Sequence, residues 1–459
     1  MKKTVIYFGL IAALSLSTTA CQDRLNIEPY QQIDAATALE TEQDVESAVI
    51  GAYALISRGQ LYGTNLNLLS ELQASENYVA WQGTFQDYRQ VARKTMTNVN
   101  SEAQRTWLQA YLAINTVNNV LEALDKVQNA ELKKQFEGEA RLIRGILFFE
   151  LVRYYALPWG ATANNSHLGV PIMLRATKTA EQAAELAARN TVAEVYTQVL
   201  NDLTAASTLL PEDNGVRADR YSALGFLARV YLQQSDYARA LTAANQVITS
   251  GRFRLNPSVA AGFRNRNTAE SIFEIQQNDQ NNAGTSNDGL TTFYASLPVN
   301  GVNIGRGDVQ VLDAFVNQYA ANDARRTELL YIGYRGSNRY YTGKWTEFGG
   351  NIPVIRLAEM LLVRAECNLR LNSSVGATPA ADLNAVRQRA GVAPIAAPTL
   401  ADVLRERQLE LAFEGLRIHD VKRLRQSTGT FAWNSPRLVF PIPKREIDAN
   451  NLLVQNEGY

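Results

Sequence analysis

A mostly α-helical fold, built from tetratricopeptide-repeat-like helix pairs with long irregular loops and a few short strands, is what this sequence predicts. Three observations carry it. Capping boxes open several segments, pairing Thr41 with Asp44, Ser101 with Gln104, Thr191 with Glu194 and Thr399 with Asp402. In such a box the hydroxyl and the acid or amide satisfy two orphan N–H groups of a helix start reciprocally. Behind Thr191, the residues Val192, Val195, Tyr196, Val199, Leu203, Ala206 and Leu210 keep the helical period until Pro211 stops it. Tyr221–Ile248 then reads as two helices broken near Gln234–Asp236, with Ala228, Tyr231 and Ala240 at repeat spacing, where small residues let paired helices approach.

Further helical runs at Trp107–Leu124, Glu139–Tyr155 and Ile355–Leu371 extend the array, with Trp107 and Phe148 at core spacing. Between the runs, Arg58–Asn98, Gly160–Thr177, Asn278–Asp308 and Tyr331–Asn351 sustain no period and are rich in Gly, Asn, Ser and aromatics. Loops of that length are unusual in a compact domain unless they carry function. Ser271–Gln276 and Arg437–Ile442 alternate briefly and predict short strands rather than a major sheet.

The N-terminus has its own logic. Lys2 and Lys3 precede an apolar run from Val5 to Leu16, too short to span the roughly 30 Å hydrocarbon layer as a helix, so residues 1–20 read as a secretory signal. Cys21, after Thr18, Thr19 and Ala20, resembles the processing site of a bacterial lipoprotein, and acylation there would tether the protein to a membrane. Without the signal, 439 residues remain, with 43 basic and 45 acidic side chains. That balance gives no electrostatic reason to expect nucleic acid as a partner. Cys367, inside an apolar helical run, is expected to pack rather than react.

Catalytic patterns are sparse. Glu406, Glu410 and Glu414 recur every four residues, and two carboxylates about 5 Å apart could run retaining glycoside hydrolysis. Arg405, Arg407 and Arg417 stand close enough to pair with them, so a charged helix face is the expected role. No zinc-protease, nucleophile-elbow, Cys-x-x-Cys or phosphate-loop motif occurs, and the spaced glycines of Gly301–Gly307 read as a turn. His167 and His419 are expected at the surface or in hydrogen bonds. Asp279, Asn281, Asn287 and Asp288 are oxygen-rich, but Leu290 stands where a Ca²⁺ loop needs a bidentate Glu, so a plain loop is expected. The reading calls for no cofactor, no metal and no enzyme activity.

Loop aromatics are the clue to ligand contact. Tyr78, Trp81, Phe85 and Tyr88 crowd the first loop, and Phe293, Tyr294, Tyr340, Tyr341 and Trp345 the later ones. A flat ring offers an apolar face to the C–H side of a sugar or to a peptide side chain. Asn77, Arg339 and Asn351 are polar neighbours that could read hydroxyls or carboxylates. Each aromatic could equally anchor its own loop to the scaffold.

Four segments together resemble the SusD/RagB family of outer-membrane nutrient-binding lipoproteins. They are GEARLIRGILFFELVRYYALPWG at 138–160 with RNTVAEVYTQVLNDLTAASTLLP at 189–211, the hairpin at 221–248, IPVIRLAEMLLVRAECNLRL at 352–371 with ADLNAVRQRAGV at 381–392, and RERQLELAFEGLRIHDVKRL at 405–424 with FPIPKREIDANNLLVQNEGY at 440–459. The resemblance implies a SusD-like scaffold of about four repeat-like helix pairs in a single domain over 21–459, with repeat-like pairs in 21–265 and a SusD/RagB part in 266–459. It also implies an outer-membrane, lipid-anchored, surface-exposed protein. Such a protein would bind an oligosaccharide, or alternatively a peptide, and deliver it to a SusC-like TonB-dependent β-barrel transporter. A purely structural gating subunit is the other reading.

Overall fold

The computed structural model describes residues 39–286, 288–299, 302–334 and 338–459, so segment 1–20, Cys21 and Asn287 lie outside it. Helices dominate, as predicted. In the N-terminal half they are α1 (Glu42–Ile56), α2 (Asn65–Gln73), α3 (Gln86–Arg93), α4 (Ser101–Glu122), α5 (Ala130–Tyr155), α6 (Val192–Leu209), α7 (Arg220–Gln233) and α8 (Tyr237–Thr249). The C-terminal half adds α9 (Leu357–Leu371), α10 (Pro379–Arg389), α11 (Leu400–Glu410) and α12 (Arg417–Arg423).

Neighbours in sequence are neighbours in space. Helix α4 packs on α1 and α5, α5 on α6, α6 on α7, α7 on α8, and α8 on α9, which α10 and α11 also contact. The break between α7 and α8 falls where the sequence placed it. Helix α5 approaches α6 closely because glycine faces it: a Cβ at Gly145 would lie 3.1 Å from Leu203 Cγ, and one at Gly138 2.8 Å from Leu210 Cγ. Trp107 and Phe148 are core residues, and Cys367 is a buried free thiol.

Capping boxes form at Thr41, Thr191 and Thr399. Ser101 is a correction: the cap is Asn100, whose side chain accepts from Ala103 N–H, while the Ser101 hydroxyl donates to Asp87. Asparagine is among the strongest N-cap residues, so the start slips back by one position.

Strands are short. A four-stranded antiparallel sheet runs β1 (Val79–Trp81), β5 (Val309–Val311), β7 (Tyr340–Thr342), β6 (Leu330–Ile332). The strand β2 (Ser271–Ile275) pairs with β8 (Ile352–Arg356), and β3 (Leu297–Val299) with β4 (Val302–Ile304). Arg437–Ile442 forms no strand. A single helical turn occupies Pro436–Leu438, and Phe440 N–H donates to Tyr154 O at the end of α5 instead. Arg58–Asn98 is likewise more regular than predicted, holding α2, β1 and α3. Every residue of α2 is buried, so it has no polar face from which a period could be read.

The C-terminal half is held by charge. Arg356 reaches Glu270 (2.6 Å), Glu410 (3.0 Å) and Glu414 (2.8 Å). Arg389 bridges Glu270 and Glu410, while Arg325 and Arg387 hold Glu406. A second chain links Arg229, Glu359, Arg407, Asp420, Arg423 and Glu366. Thus Glu406, Glu410 and Glu414 do pair with cations, but not with Arg405, Arg407 or Arg417 as their spacing suggested. Their partners come from other elements, because Glu406 and Glu410 are buried in α11 rather than solvated along it, and Glu414, beyond the helix end, turns an inaccessible side chain to Lys344 and Arg356.

Candidate functional site

Where α2 ends, the chain turns at Ser75–Asn77 into β1, and this short path positions the aromatic loop. Tyr78 N–H and Val79 N–H both donate to Ser75 O, and Leu312 N–H donates to Tyr78 O. Asn77 is exposed and takes a left-handed φ of 54°, a conformation asparagine tolerates. In the antiparallel register Trp81 lies opposite Val309, and Val79 opposite Val311, which in turn faces Tyr340.

At the end of β1 four rings gather. Trp81 lies 5.0 Å from Tyr88 and 5.9 Å from Phe293, and Phe85 lies 6.3 Å from each of these two, centroid to centroid. Arg306 places its guanidinium 4.5 Å over the Phe85 ring, with Nη2 2.6 Å from the buried Asp308 carboxylate. Tyr88 and Phe293 are interior, Trp81 is half-buried, and Phe85 is 41% exposed. The Trp81 indole N–H is buried and has no acceptor among the described residues. The result is an aromatic step at the surface, edged by a cation and by the Gln82–Gln310 amide pair, with stacking faces and a polar edge together.

Of the residues singled out from sequence, Trp81 and Phe85 meet in this patch. Tyr340 is half-buried two strands away in the same sheet, with half-buried Arg339 before it. Five others are corrections, because burial leaves them no face for a ligand. Tyr78 stacks on Phe413 at 5.2 Å, Tyr294 packs edge-on to the same ring, and Tyr341 lies beside Tyr331. Trp345 is buried and donates its indole N–H to Phe413 O. Asn351 sits apart, donating to Glu274 and Gln276 beside the β2–β8 pair. These side chains anchor loops. Arg306 escaped the sequence reading because it falls in the glycine-spaced stretch taken as a turn; its signal was a lone cation in an aromatic-rich loop.

Beneath the patch lies a strained turn between α11 and α12. Phe413 has a φ of 67° and Gly415 of 80°; only glycine adopts such values without cost. A Cβ at Gly415 would stand 2.8 Å from Leu66 O. The turn is held from several sides. Phe413 N–H donates to the Tyr78 hydroxyl (2.7 Å), and Gly415 and Leu416 N–H donate to Glu71 Oε1 (2.7 and 3.0 Å). Lys344 Nζ donates to Glu410 O and to Glu414. Burial pushes the Glu71 carboxyl up to about 7, against the pull of Tyr78 and the turn's N–H groups.

The histidines differ from each other. His167 bridges Thr162 and Leu157 O as expected, whereas His419 is buried in α12, where burial and Arg153 hold it well below its usual range. Asp288 pairs with Arg105 at 2.5 Å, and Asn278 Oδ1 accepts from Gln280 and Asn281 N–H in a simple turn. Among the described residues no group of three or more His, Cys, Asp and Glu could hold a metal, and no helix is long and apolar enough to cross a membrane.

The fold defines a class: a helical-repeat scaffold carrying short strands and loops on which the aromatic patch lies. Comparison with known proteins agrees. Residues 23–232 match the SusD-like family model described as "starch-binding associating with outer membrane", and residues 319–438 match the SusD family model. The SusD-like protein P2 of Formosa agariphila is 28% identical over the whole of both chains. The starch-binding protein SusD of Bacteroides thetaiotaomicron is 24% identical over all of this chain and 99% of its own. A putative sugar binding protein from Bacteroides vulgatus is 26% identical, with a TM-score of 0.80 over 92% of this chain and 100% of that one. The chain belongs to the SusD/RagB family.

Proposed function

We propose that this protein is a lipid-anchored outer-membrane binding protein that captures an oligosaccharide at the Trp81–Phe85–Arg306 patch and hands it to a TonB-dependent β-barrel transporter. The observation that carries the reading is the half-exposed aromatic step with a guanidinium stacked on its outer ring, a surface suited to sugar C–H faces with a polar edge beside them. The starch-binding relative and the sugar-binding structural neighbour support a glycan over a peptide. Cys21, outside the described residues, is the proposed acylation site.

Capture proceeds without bond cleavage. The side chains of Glu406, Glu410 and Glu414 are almost wholly inaccessible and engaged in ion pairs, and catalytic carboxylates need a substrate-accessible cleft.

Titration of the soluble protein with a panel of starch, fructan, xylan and mannan oligosaccharides tests the reading. At least one should bind with no product formed. Trp81→Ala should weaken that binding by roughly 5- to 150-fold, in line with about 1–3 kcal/mol for a stacked ring. Binding of peptides alone, or wild-type affinity in the variant, would overturn it.

A further inference from the structure

Arg306 stands on a backbone built to hold it. Gly305 and Gly307 on either side take left-handed φ values of 71° and 61°. Three successive N–H groups, of Arg306, Gly307 and Asp308, donate to Thr292 O, Ala295 O and Phe293 O at 2.7, 2.7 and 2.8 Å. A Cβ at Gly305 would collide with Ala295 O, so glycine lets the chain press this closely on the 290–295 segment. The guanidinium is thereby set 4.5 Å over Phe85 and 5.8 Å over Phe293. Tyr334 joins it, donating its hydroxyl to Gly305 O at 3.0 Å with its side of the surface 40% exposed. One arginine therefore stands beside two exposed rings, Phe85 under its guanidinium and Tyr334 tied to the residue before it.

The ion pair at this point is lopsided. The Asp308 side chain, 2.6 Å from Arg306 Nη2, is wholly inaccessible, whereas 25% of the Arg306 side chain is exposed. With the anion inside and the cation outside, solvent meets positive potential here. Arg89, one turn along α3 from Phe85, adds to it: Nη2 donates to Gly83 O (2.8 Å) and Nη1 to Gln86 (3.4 Å), and among the described residues no carboxylate pairs with it. Asp87, the carboxylate of the same segment, is engaged by the Ser101 hydroxyl at the start of α4.

We propose that the patch selects an acidic oligosaccharide, with Arg306 reading a carboxylate or sulfate ester carried by a sugar while Phe85 and Tyr334 meet the C–H faces beside it. This rests on the patch as the glycan site and adds Tyr334 to it. A guanidinium carries five N–H donors in a planar fork, more than one carboxylate oxygen occupies, and the paired oxygens of an anion match that fork better than a single hydroxyl does. Seated on a ring and fixed by its backbone, the side chain loses little freedom when an anion arrives. A neutral chain stacks on the same rings but gains no charge-assisted bond.

Matched pairs of ligands isolate the charge. Isothermal titration of the soluble protein compares galacturonate oligomers with their methyl esters, glucuronate-bearing xylo-oligosaccharides with plain ones, and sulfated galactan oligomers with desulfated ones, at about 20 and 200 mM salt. In at least one pair the acidic member should bind roughly tenfold tighter than its neutral twin, and the advantage should shrink at the higher salt. A preference confined to the uronate pairs assigns the carboxylate, and one confined to the galactan pair the sulfate ester. Arg306→Gln should bring the two members to equal affinity, and Arg306→Lys, which keeps the charge but loses the fork, should retain part of the difference. Tyr334→Ala should weaken both members alike, by roughly fivefold. Circular dichroism establishes that each variant is folded. Should Arg306→Gln fail to fold, the methyl-ester comparison and the salt dependence of wild type decide. Equal affinity within all three pairs, binding by no member of any pair, or an acidic preference unchanged in Arg306→Gln overturns the proposal. Equal affinity together with loss of binding in Trp81→Ala would reject acid selection and keep the glycan site. An Arg306-dependent acidic preference that Trp81→Ala leaves untouched would keep the arginine site and reject the Trp81 step.

Discussion

The α4–α6 region and the α9–α12 region are both buried helical layers, yet they are held by different forces. Between α5 and α6 the contact is close, with Gly138 and Gly145 admitting Leu210 and Leu203, and its ionic part is confined to one buried carboxylate, Asp202, which Arg144 and Arg141 share. Around α9, α11 and α12 the contact runs through arginines and carboxylates that are almost wholly inaccessible. Apolar packing tolerates many residue combinations of similar volume. Buried ion pairs do not, since loss of one partner strands a charge in low dielectric. The ionic region is also where the strained 413–417 turn sits, so the costlier chemistry coincides with the part that must be held in one geometry.

Acid should separate the two regions most strongly. Burial alone would raise Glu359, Glu366, Glu410 and Asp420, but their arginine partners hold all four below the usual carboxylate range. Carboxyls with depressed values contribute stability above their unfolded values and lose it as pH falls through the folded ones. Hydrogen exchange at about pH 3 should therefore show α9–α12 losing protection before α4–α6. Equal loss in both would erase the contrast.

Next in size, Arg356→Met should cost about 3–5 kcal/mol in urea unfolding, since Glu270, Glu410 and Glu414 lose a shared cation. Leu203→Ala, in the apolar layer, should cost about 2–5 kcal/mol by cavity formation, with no added sensitivity to acid. The pair sharpens the comparison: the first penalty should shrink at low pH and the second should persist. Thr191→Ala is the smallest, about 1 kcal/mol for a lost cap read as a lower thermal midpoint, because the box at the start of α6 is exposed.

Much of the helical layer was legible beforehand for a physical reason. Amphipathic helices such as α6 carry a period and a cap in their own sequence, and the small residues between α7 and α8 mark a crossing. Helix α2 was illegible because burial on every side removes the periodic signal. The partners of Glu410 could not be read either, because Arg389 and Arg356 reach it from other elements and local spacing pointed to Arg407. At the proposed site, aromatic density pointed to the first loop, and there Trp81 is half-buried and Phe85 exposed. Composition could not separate them from Tyr78 or Trp345, whose orientations depend on a turn more than 60 residues further along the chain.

That dependence has a temporal side. The first aromatic strand leaves the ribosome hundreds of residues before the turn at 413–417 that fixes Tyr78 and Glu71. The last residues close the structure further, as Asn456 donates to Tyr155 O and Phe440 O and Arg189 donates to Val454 O. A chain made from its N-terminus onward can assemble its early helices while it emerges, but the strand bearing Trp81 acquires its final setting only once the 413–417 turn has arrived. Truncated or stalled chains would then carry a scaffold whose aromatic patch is unformed, and an ordered patch would report that synthesis is complete.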